Sequence, residues 1–274
     1  AGPRAAGRDV LTNPASDRVS RVAGLARKNV RARYHRFLVE GPQGVREAVR
    51  YAADRVLDVF LTEAARDRHS GIWEEARAAG LYVHLASERV MAAMSADSQG
   101  VLAVVAMDEA AGPGALAAAL SGAMLVVVLT EAQDPGNAGA IIRAADAAGA
   151  DAVVLLRGSV DATSPKVVRS SAGSLFHLPV VTGVTLDDAV AALHEADLAV
   201  VAADSRGALD LFDADAVLEG PVAWLLGNEA RGLPPEALSR ADAVISIPVR
   251  GRAESLNVAA AAAVCLYASA RAQR

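Results

Sequence analysis

Residues 221–234 read Pro221-Val222-Ala223-Trp224-Leu225-Leu226-Gly227-Asn228-Glu229-Ala230-Arg231-Gly232-Leu233-Pro234, and the rest of the chain is organised around them. Val222 to Leu226 is an unbroken apolar run of strand type. It stops in a polar turn carrying Gly227, Gly232 and Pro234. A second run, Ala243 to Ile247, stops at Pro248-Val249-Arg250-Gly251-Arg252, and Ser255-Leu256-Asn257-Val258 then opens an alanine-dominated helical segment. Apolar runs without alternation predict strands covered on both faces, as in a parallel sheet. Such sheets hold ligands in the crevice outside the carboxyl ends of their strands, which makes the loops after Leu226 and Ile247 the expected site.

Working outward, further strands are expected at Met124–Leu129, Ala152–Leu156, Leu178–Val181 and Leu198–Ala203, with helices between most of them. Ser164-Pro165 and Thr185 with Asp188 are expected helix starts. Upstream, Val19, Val22, Leu25 and Ala26 have helical spacing, Phe37-Leu38-Val39-Glu40-Gly41 reads as strand and turn, and Pro42 to Ala53 reads as a helix. Strands follow at Val56–Leu61, Leu81–Leu85 and Val101–Val105, with helices at Ile72–Ala79 and Ser87–Met94 between them. The expected organisation is a flexible tail over residues 1–15, a small α/β domain over 16–107, a linker over 108–122 and a larger α/β domain over 123–274. The linker reading rests on Gly112, Pro113 and Gly114 among alanines with few large apolar groups, and it leaves room for a short helix.

Composition fits a globular chain: 53% hydrophobic and 22% charged residues in 274. No stretch approaches the roughly 18 uninterrupted apolar residues of a spanning helix, and the start lacks a signal-peptide core. The lone Cys265 excludes a disulfide framework and fits a reducing, cytoplasmic setting. It lies in an apolar helix pattern with no His or Asp nearby, which reads as packing rather than nucleophilic chemistry. The five histidines share no metal-ligand spacing, so no metal is expected. Net charge is −5, which alone argues against nucleic acid, but residues 1–50 hold eleven basic groups against four acids, a balance of +7, leaving −12 for the remainder. That asymmetry points to an anionic partner for the N-terminal part, with Arg27, Lys28, Arg31 and Arg33 as its centre. The bland alternative is a solvated helix face.

After the strand ending at Leu129 come Glu131-Ala132-Gln133-Asp134-Pro135-Gly136-Asn137-Ala138-Gly139 and, six residues beyond Asn137, Arg143. Taken alone, Asn137 reads as a helix cap and Arg143 as a solvated side chain. A dinucleotide fold is the obvious competitor, but its fingerprint needs glycine where Ala138 stands. Three motifs taken together carry more: N-x-G-x-x-x-R after a strand, then G-N-E-x-x-G-L-P, then I-P-x-x-G-x-x-E-S-L-N-V-A. In this order and spacing they resemble the SpoU/TrmH ribose 2′-O-methyltransferases of RNA, a branch of the SPOUT superfamily.

The resemblance spans residues 16 to 270. It implies a knotted (trefoil) parallel-sheet catalytic domain at the C-terminus and a ribosomal-protein-like recruiting domain before it, where Phe37 to Gly41 and Ser98 to Val101 match. It implies S-adenosylmethionine as cofactor, held by backbone at Gly227, Ile247, Val249 and Leu256. The implied catalytic set is Arg143, Asn137, Glu229, Ser255 and Asn257, with Arg169 as a further RNA contact in the Ser164 to Ser174 segment. It implies a homodimer through the C-terminal domain, to which the almost wholly apolar segment Val258 to Ala270 adds its own argument. The expected substrate is ribosomal RNA, 23S in particular, with antibiotic resistance as one outcome. Transfer RNA is the second choice, and a catalytically silent RNA-binding protein on the same fold is the third.

Overall fold

The computed structural model describes residues 10–108, 111–228 and 230–274. The chain divides into two compact units: one comprises the residues up to Asp108 together with Thr163–Phe176, the other Glu109–Ala162 with His177–Arg274.

In the first unit the elements run α1 (Asp17–Gly24), α2 (Lys28–Tyr34), β1 (Arg36–Glu40), α3 (Pro42–Tyr51), β2 (Val56–Leu61), α4 (Glu63–Arg68), α5 (Ser70–Ala78), β3 (Val83–Leu85), α6 (Glu88–Met94) and β4 (Val101–Ala106). The sheet order is β1-β4-β2-β3, antiparallel except for the β2–β3 pair. Strand alternation splits its side chains between two cores. Phe37, Val39, Val59, Leu61, Val101 and Ala103 face α3 and α5, whereas Leu38, Phe60, Leu102 and Val104 face α1 and α6. Three helix starts are capped as their sequence dictates, with Ser16, Thr62 and Ser87 accepting from backbone N–H groups in the first turn.

The second unit begins with α7 (Gly112–Leu120), then β5 (Leu125–Leu129), α8 (Pro135–Ala148) and β6 (Ala152–Leu156). The chain passes through α9 (Pro165–Ser170), which belongs to the first unit. It continues with β7 (Val180–Val184), α10 (Leu186–Glu195), β8 (Ala199–Ala203), β9 (Leu209–Asp210), α11 (Asp215–Leu218), β10 (Val222–Leu226), α12 (Pro235–Arg240), β11 (Ala243–Ser246) and α13 (Val258–Ala272). All strands are parallel, in the order β7-β6-β5-β10-β8-β11-β9. β10 inserts between β5 and β8, so the direction of winding changes there. α7, α10 and α12 cover one face of the sheet. α13 packs on α8, β5 and β10, and Trp224 on β10 donates from Nε1 to Ser269 Oγ on α13 at 2.9 Å, both residues being buried. Burial pushes the Cys265 thiol up to about 12, which leaves it a small core hydrophobe.

Two expectations need adjusting. The short helix allowed for in the 108–122 linker is α7, but it belongs to the second unit and is no separate linker: Leu116 and Leu120, four residues apart on one helical face, bury completely in that unit's core. The Thr163–Phe176 segment, assigned by position to the larger domain, packs on the first unit, because Val168 and Phe176 join its core and Phe176 stacks on Phe37 at 6.4 Å.

Candidate functional site

The loops that follow β8, β10 and β11 enclose a cavity of about 310 Å³ at the carboxyl edge of the sheet. Gly227, Ile247, Val249, Leu256 and Ser255 all line it, joined by Ala203, Leu226 and Leu233. The walls are therefore mainly apolar, with Asn228, Glu254 and Ser255 among their polar members. Gly227 is fixed by space: a Cβ there would lie 2.3 Å from the backbone carbon of Gly232 and 2.4 Å from the nitrogen of Leu233. No side chain fits without moving the loop that forms the wall.

Asn228 builds that loop. It exchanges backbone hydrogen bonds with Gly232, N to O at 3.0 Å and O from N at 2.8 Å. Its Oδ1 accepts from Ala230 N and Arg231 N, and its Nδ2 donates to Glu131 O at 2.9 Å. A buried amide with its bonds made in three directions is a structural hub. Gly232 supplies the left-handed residue, φ +68°, that closes the turn. Arg231 meanwhile pairs with Glu131 at 3.0 Å on the surface.

Asp204 and Ser205, just after β8, also line the cavity and were missed from sequence, although the polar Asp204-Ser205 turn after an apolar strand was a usable signal. The Asp204 carboxylate accepts from Arg206 through Nε at 2.8 Å and Nη2 at 2.9 Å, and this pairing holds it below the usual carboxylate range.

The first and third motifs meet. Asp134, not Asn137, caps α8 by accepting from Asn137 N at 2.8 Å. The Asn137 side chain is thereby left to accept from Asn257 Nδ2 at 3.1 Å. Asn257 also caps α13 with its Oδ1, accepting from Ala259 and Ala260. One residue thus starts the last helix and ties it to the first motif. Arg143, two turns into α8, is exposed and joins no ion pair among the described residues. Glu229 lies outside the described residues.

Two nominated RNA contacts are placed elsewhere. Arg31 is buried, and its Nη1 donates to the carbonyls of Leu25 and Ala26 at 3.0 and 2.8 Å, which satisfies the end of α1. Arg169 is tied to the nearly buried carboxylate of Glu40, which also accepts from Ser95, and lies 3.1 Å from Asp97. A buried carboxylate needs such a partner, so this guanidinium is committed to the fold. Arg27, Lys28 and Arg33 are exposed. Among the described residues no three His, Cys, Asp or Glu side chains are placed to hold a metal ion. No helix among the described residues is long and apolar enough to cross a membrane.

Residues 124–267 match the SpoU rRNA Methylase family, and residues 38–111 match the RNA 2′-O ribose methyltransferase substrate binding family. The chain belongs to the SpoU family. It is an RNA 2′-O-methyltransferase and its methyl donor is S-adenosylmethionine. It is 31% identical over 238 residues to a 23S rRNA (guanosine-2′-O-)-methyltransferase of Bordetella pertussis, covering 85% of this chain and 96% of the relative. The SpoU methyltransferase AviRb of Streptomyces viridochromogenes, solved in complex with S-adenosylmethionine, superposes with a TM-score of 0.80 at 30% identity, over 93% of this chain and 98% of that one. An rRNA methyltransferase of Sinorhizobium meliloti, solved with the same cofactor, gives 0.81 at 28% identity, over 96% and 97%. The cavity fits this donor, being apolar enough for an adenosine and walled by backbone that Gly227 alone allows to come so close.

Proposed function

We propose that this SpoU methyltransferase acts on a ribose 2′-hydroxyl of 23S ribosomal RNA in the cytoplasm, with the first domain recruiting the RNA. The observation that carries the reading is that the cavity takes its lining from Gly227, Ile247, Val249, Ser255 and Leu256 of two motifs, while Asn257 fastens the third motif to Asn137 of the first. Gly227, Ile247, Val249 and Leu256 would hold S-adenosylmethionine through backbone and apolar contact. Bound there, the cofactor supplies a methyl group carried on a sulfonium cation. What remains for the protein is to position the hydroxyl and make its oxygen more nucleophilic.

Arg143 is the group for that task. A guanidinium keeps its proton and cannot serve as a base, so its contribution is electrostatic: it favours the ionised hydroxyl and grips the adjacent phosphate. It is exposed and joins no ion pair among the described residues, which do not include Glu229. Asn137, Ser255 and Asn257 supply hydrogen bonds around the ribose, and Glu229 orients Arg143 or the cofactor. The knot implied by the family encloses the cofactor loops. A homodimer forms through the second unit, supported by Ala260, Val264 and Tyr267, which leave an exposed apolar stripe on one side of α13.

The test is incubation with labelled S-adenosylmethionine and separate 23S, 16S and transfer RNA pools, then mapping of the modified nucleotide. Label in 23S RNA at a ribose is the expected result. Label confined to transfer RNA replaces the substrate, and none in any pool removes the catalytic reading in favour of RNA binding alone. A nucleotide at a ribosomal drug site would make the protein a resistance determinant. Sedimentation as a monomer at micromolar concentration removes the dimer.

A further inference from the structure

α1 and α2 precede the matched substrate-binding region, which starts at residue 38. Their outer face carries two hollows of about 420 Å³ each. One is lined by Arg21, Arg27, Arg33 and Tyr34 with a single acid, Asp17, the other by Arg18, Arg21, Tyr34 and Arg36 with a single acid, Asp58, at the edge of the first sheet. Arg21 and Tyr34 line both, and so form the ridge between them.

Three features distinguish this ridge from an ordinary solvated face. Tyr34 is 48% exposed although it is aromatic, and the Arg33 guanidinium sits 5.5 Å over its ring, which helps to hold the ring in place. Arg21, Arg27, Arg33 and Arg36 pair with no carboxylate among the described residues, whereas Arg50, Arg66, Arg206, Arg240 and Arg271 elsewhere on the surface each do. The acid that lines the second hollow, Asp58, is already engaged by His84 Nε2 at 2.7 Å. The result is a local excess of uncompensated positive charge around an accessible ring in a chain of net charge −5.

We propose that the Arg21–Tyr34 ridge binds an unpaired RNA strand, with a base stacked on Tyr34 and its flanking phosphates in the two arginine-lined hollows. Unpaired strands are held in this way, by an aromatic platform between backbone contacts, because every base offers a π-face while the cations follow the phosphates. A duplex keeps its bases stacked on one another and offers only the phosphates. The proposal deepens the RNA-recruiting role given to the first domain by naming the strand form it selects, and it rests on that reading.

The experiment measures binding of the full chain to a short unpaired RNA and to a duplex of equal length, without S-adenosylmethionine, across a salt series. Tyr34→Ala should weaken unpaired RNA about 10-fold or more and leave the duplex unchanged. Tyr34→Phe should bind as the parent does, because the ring is kept. Arg21→Ala with Arg36→Ala should weaken both RNAs and flatten the salt slope by about 1. Equal losses for strand and duplex in Tyr34→Ala, or no loss for either, overturn the platform. Failure to methylate any RNA while the Tyr34 effect persists counts against the catalytic reading and not against this one.

Discussion

The cavity of the second unit and the α1–α2 face of the first are built on opposite plans. The cavity is lined mostly by backbone, glycine and apolar side chains, with two acids among them, Asp204, which is paired with Arg206, and Glu254. On the α1–α2 face Val19 and Val22 turn inward, and the exposed side chains are dominated by cations, Arg18, Arg21, Lys28 and Arg33, against the one exposed acid Asp17. On the functions proposed above, the first surface would recognise its ligand chiefly by shape, and the second would recognise by charge and be open to screening. Substitutions that preserve backbone should be mild at the first, and substitutions that preserve shape but not charge should be severe at the second.

The hardest test of the shape plan is Gly227→Ala. A single methyl there meets the Gly232 carbon at 2.3 Å, and backbone cannot yield as a flexible side chain can. S-adenosylmethionine affinity should fall by two orders of magnitude or more in calorimetric titration, while circular dichroism stays that of the parent. Leu256→Ala, which trims an exposed wall and leaves the loop path alone, should cost only a few-fold. If Gly227→Ala binds the cofactor normally, the wall is not rigid and the contrast between the two regions collapses.

Arg143, exposed on α8 and joined to no ion pair among the described residues, belongs to neither plan. Arg143→Ala should leave cofactor affinity intact and lower the methylation rate by about 10² to 10³, the usual cost of losing a donor to a developing oxyanion. Arg143→Lys keeps charge without the planar fork and should recover part of the rate. The rate of the parent should still climb above neutrality, since the hydroxyl and not the arginine ionises. A normal rate in Arg143→Ala with a lowered melting temperature would assign the residue to the fold.

How far each plan was legible follows from its physics. Continuous Val and Leu runs marked six of the seven parallel strands, because burial on both faces leaves no other composition; β9, at Leu209–Asp210, is too short to leave a pattern. That Gly227, Ile247, Val249 and Leu256 would share one site followed from the motifs, whereas the tightness at Gly227 shows only in the structure. Arg31 was misread with its neighbours because nothing local distinguishes an arginine that closes the end of a preceding helix from one that meets solvent. Arg169 failed for a similar reason: its partner Glu40 lies 129 positions away in sequence. Asn137 read as a cap because it follows a strand, yet Asp134 three residues earlier takes that duty and frees it for Asn257.

The charge plan is sharpened by separating the four cations first grouped together. Neutralising Arg27, Lys28 and Arg33 together should flatten the salt dependence of RNA binding by about 2 in log–log slope and weaken affinity at low salt, with cofactor binding preserved. Arg31→Met should do the reverse. It deprives the Leu25 and Ala26 carbonyls of their donor, lowers the melting temperature and leaves the salt slope where it was. Equal slopes in the parent and the triple variant would return the exposed cluster to a solvated face.

The smallest effect expected tests whether the cavity's own charges serve the fold rather than a ligand. Arg206 holds the Asp204 carboxylate below its ordinary range, so the folded state binds that proton less readily than the unfolded chain does. The pair's contribution to stability is therefore fully present above the unfolded aspartate value of about 3.9 and is lost as pH falls through the lower folded value. Arg206→Gln should lower the melting temperature slightly at neutral pH, and parent and variant should converge as pH drops below about 3. Arg206 is itself largely exposed and the pair is open to screening, so added salt should narrow the neutral-pH gap as well. A gap that persists undiminished in acid would mean that Arg206 acts through the packing of its stem over the 204–207 turn and not through the charge on Asp204.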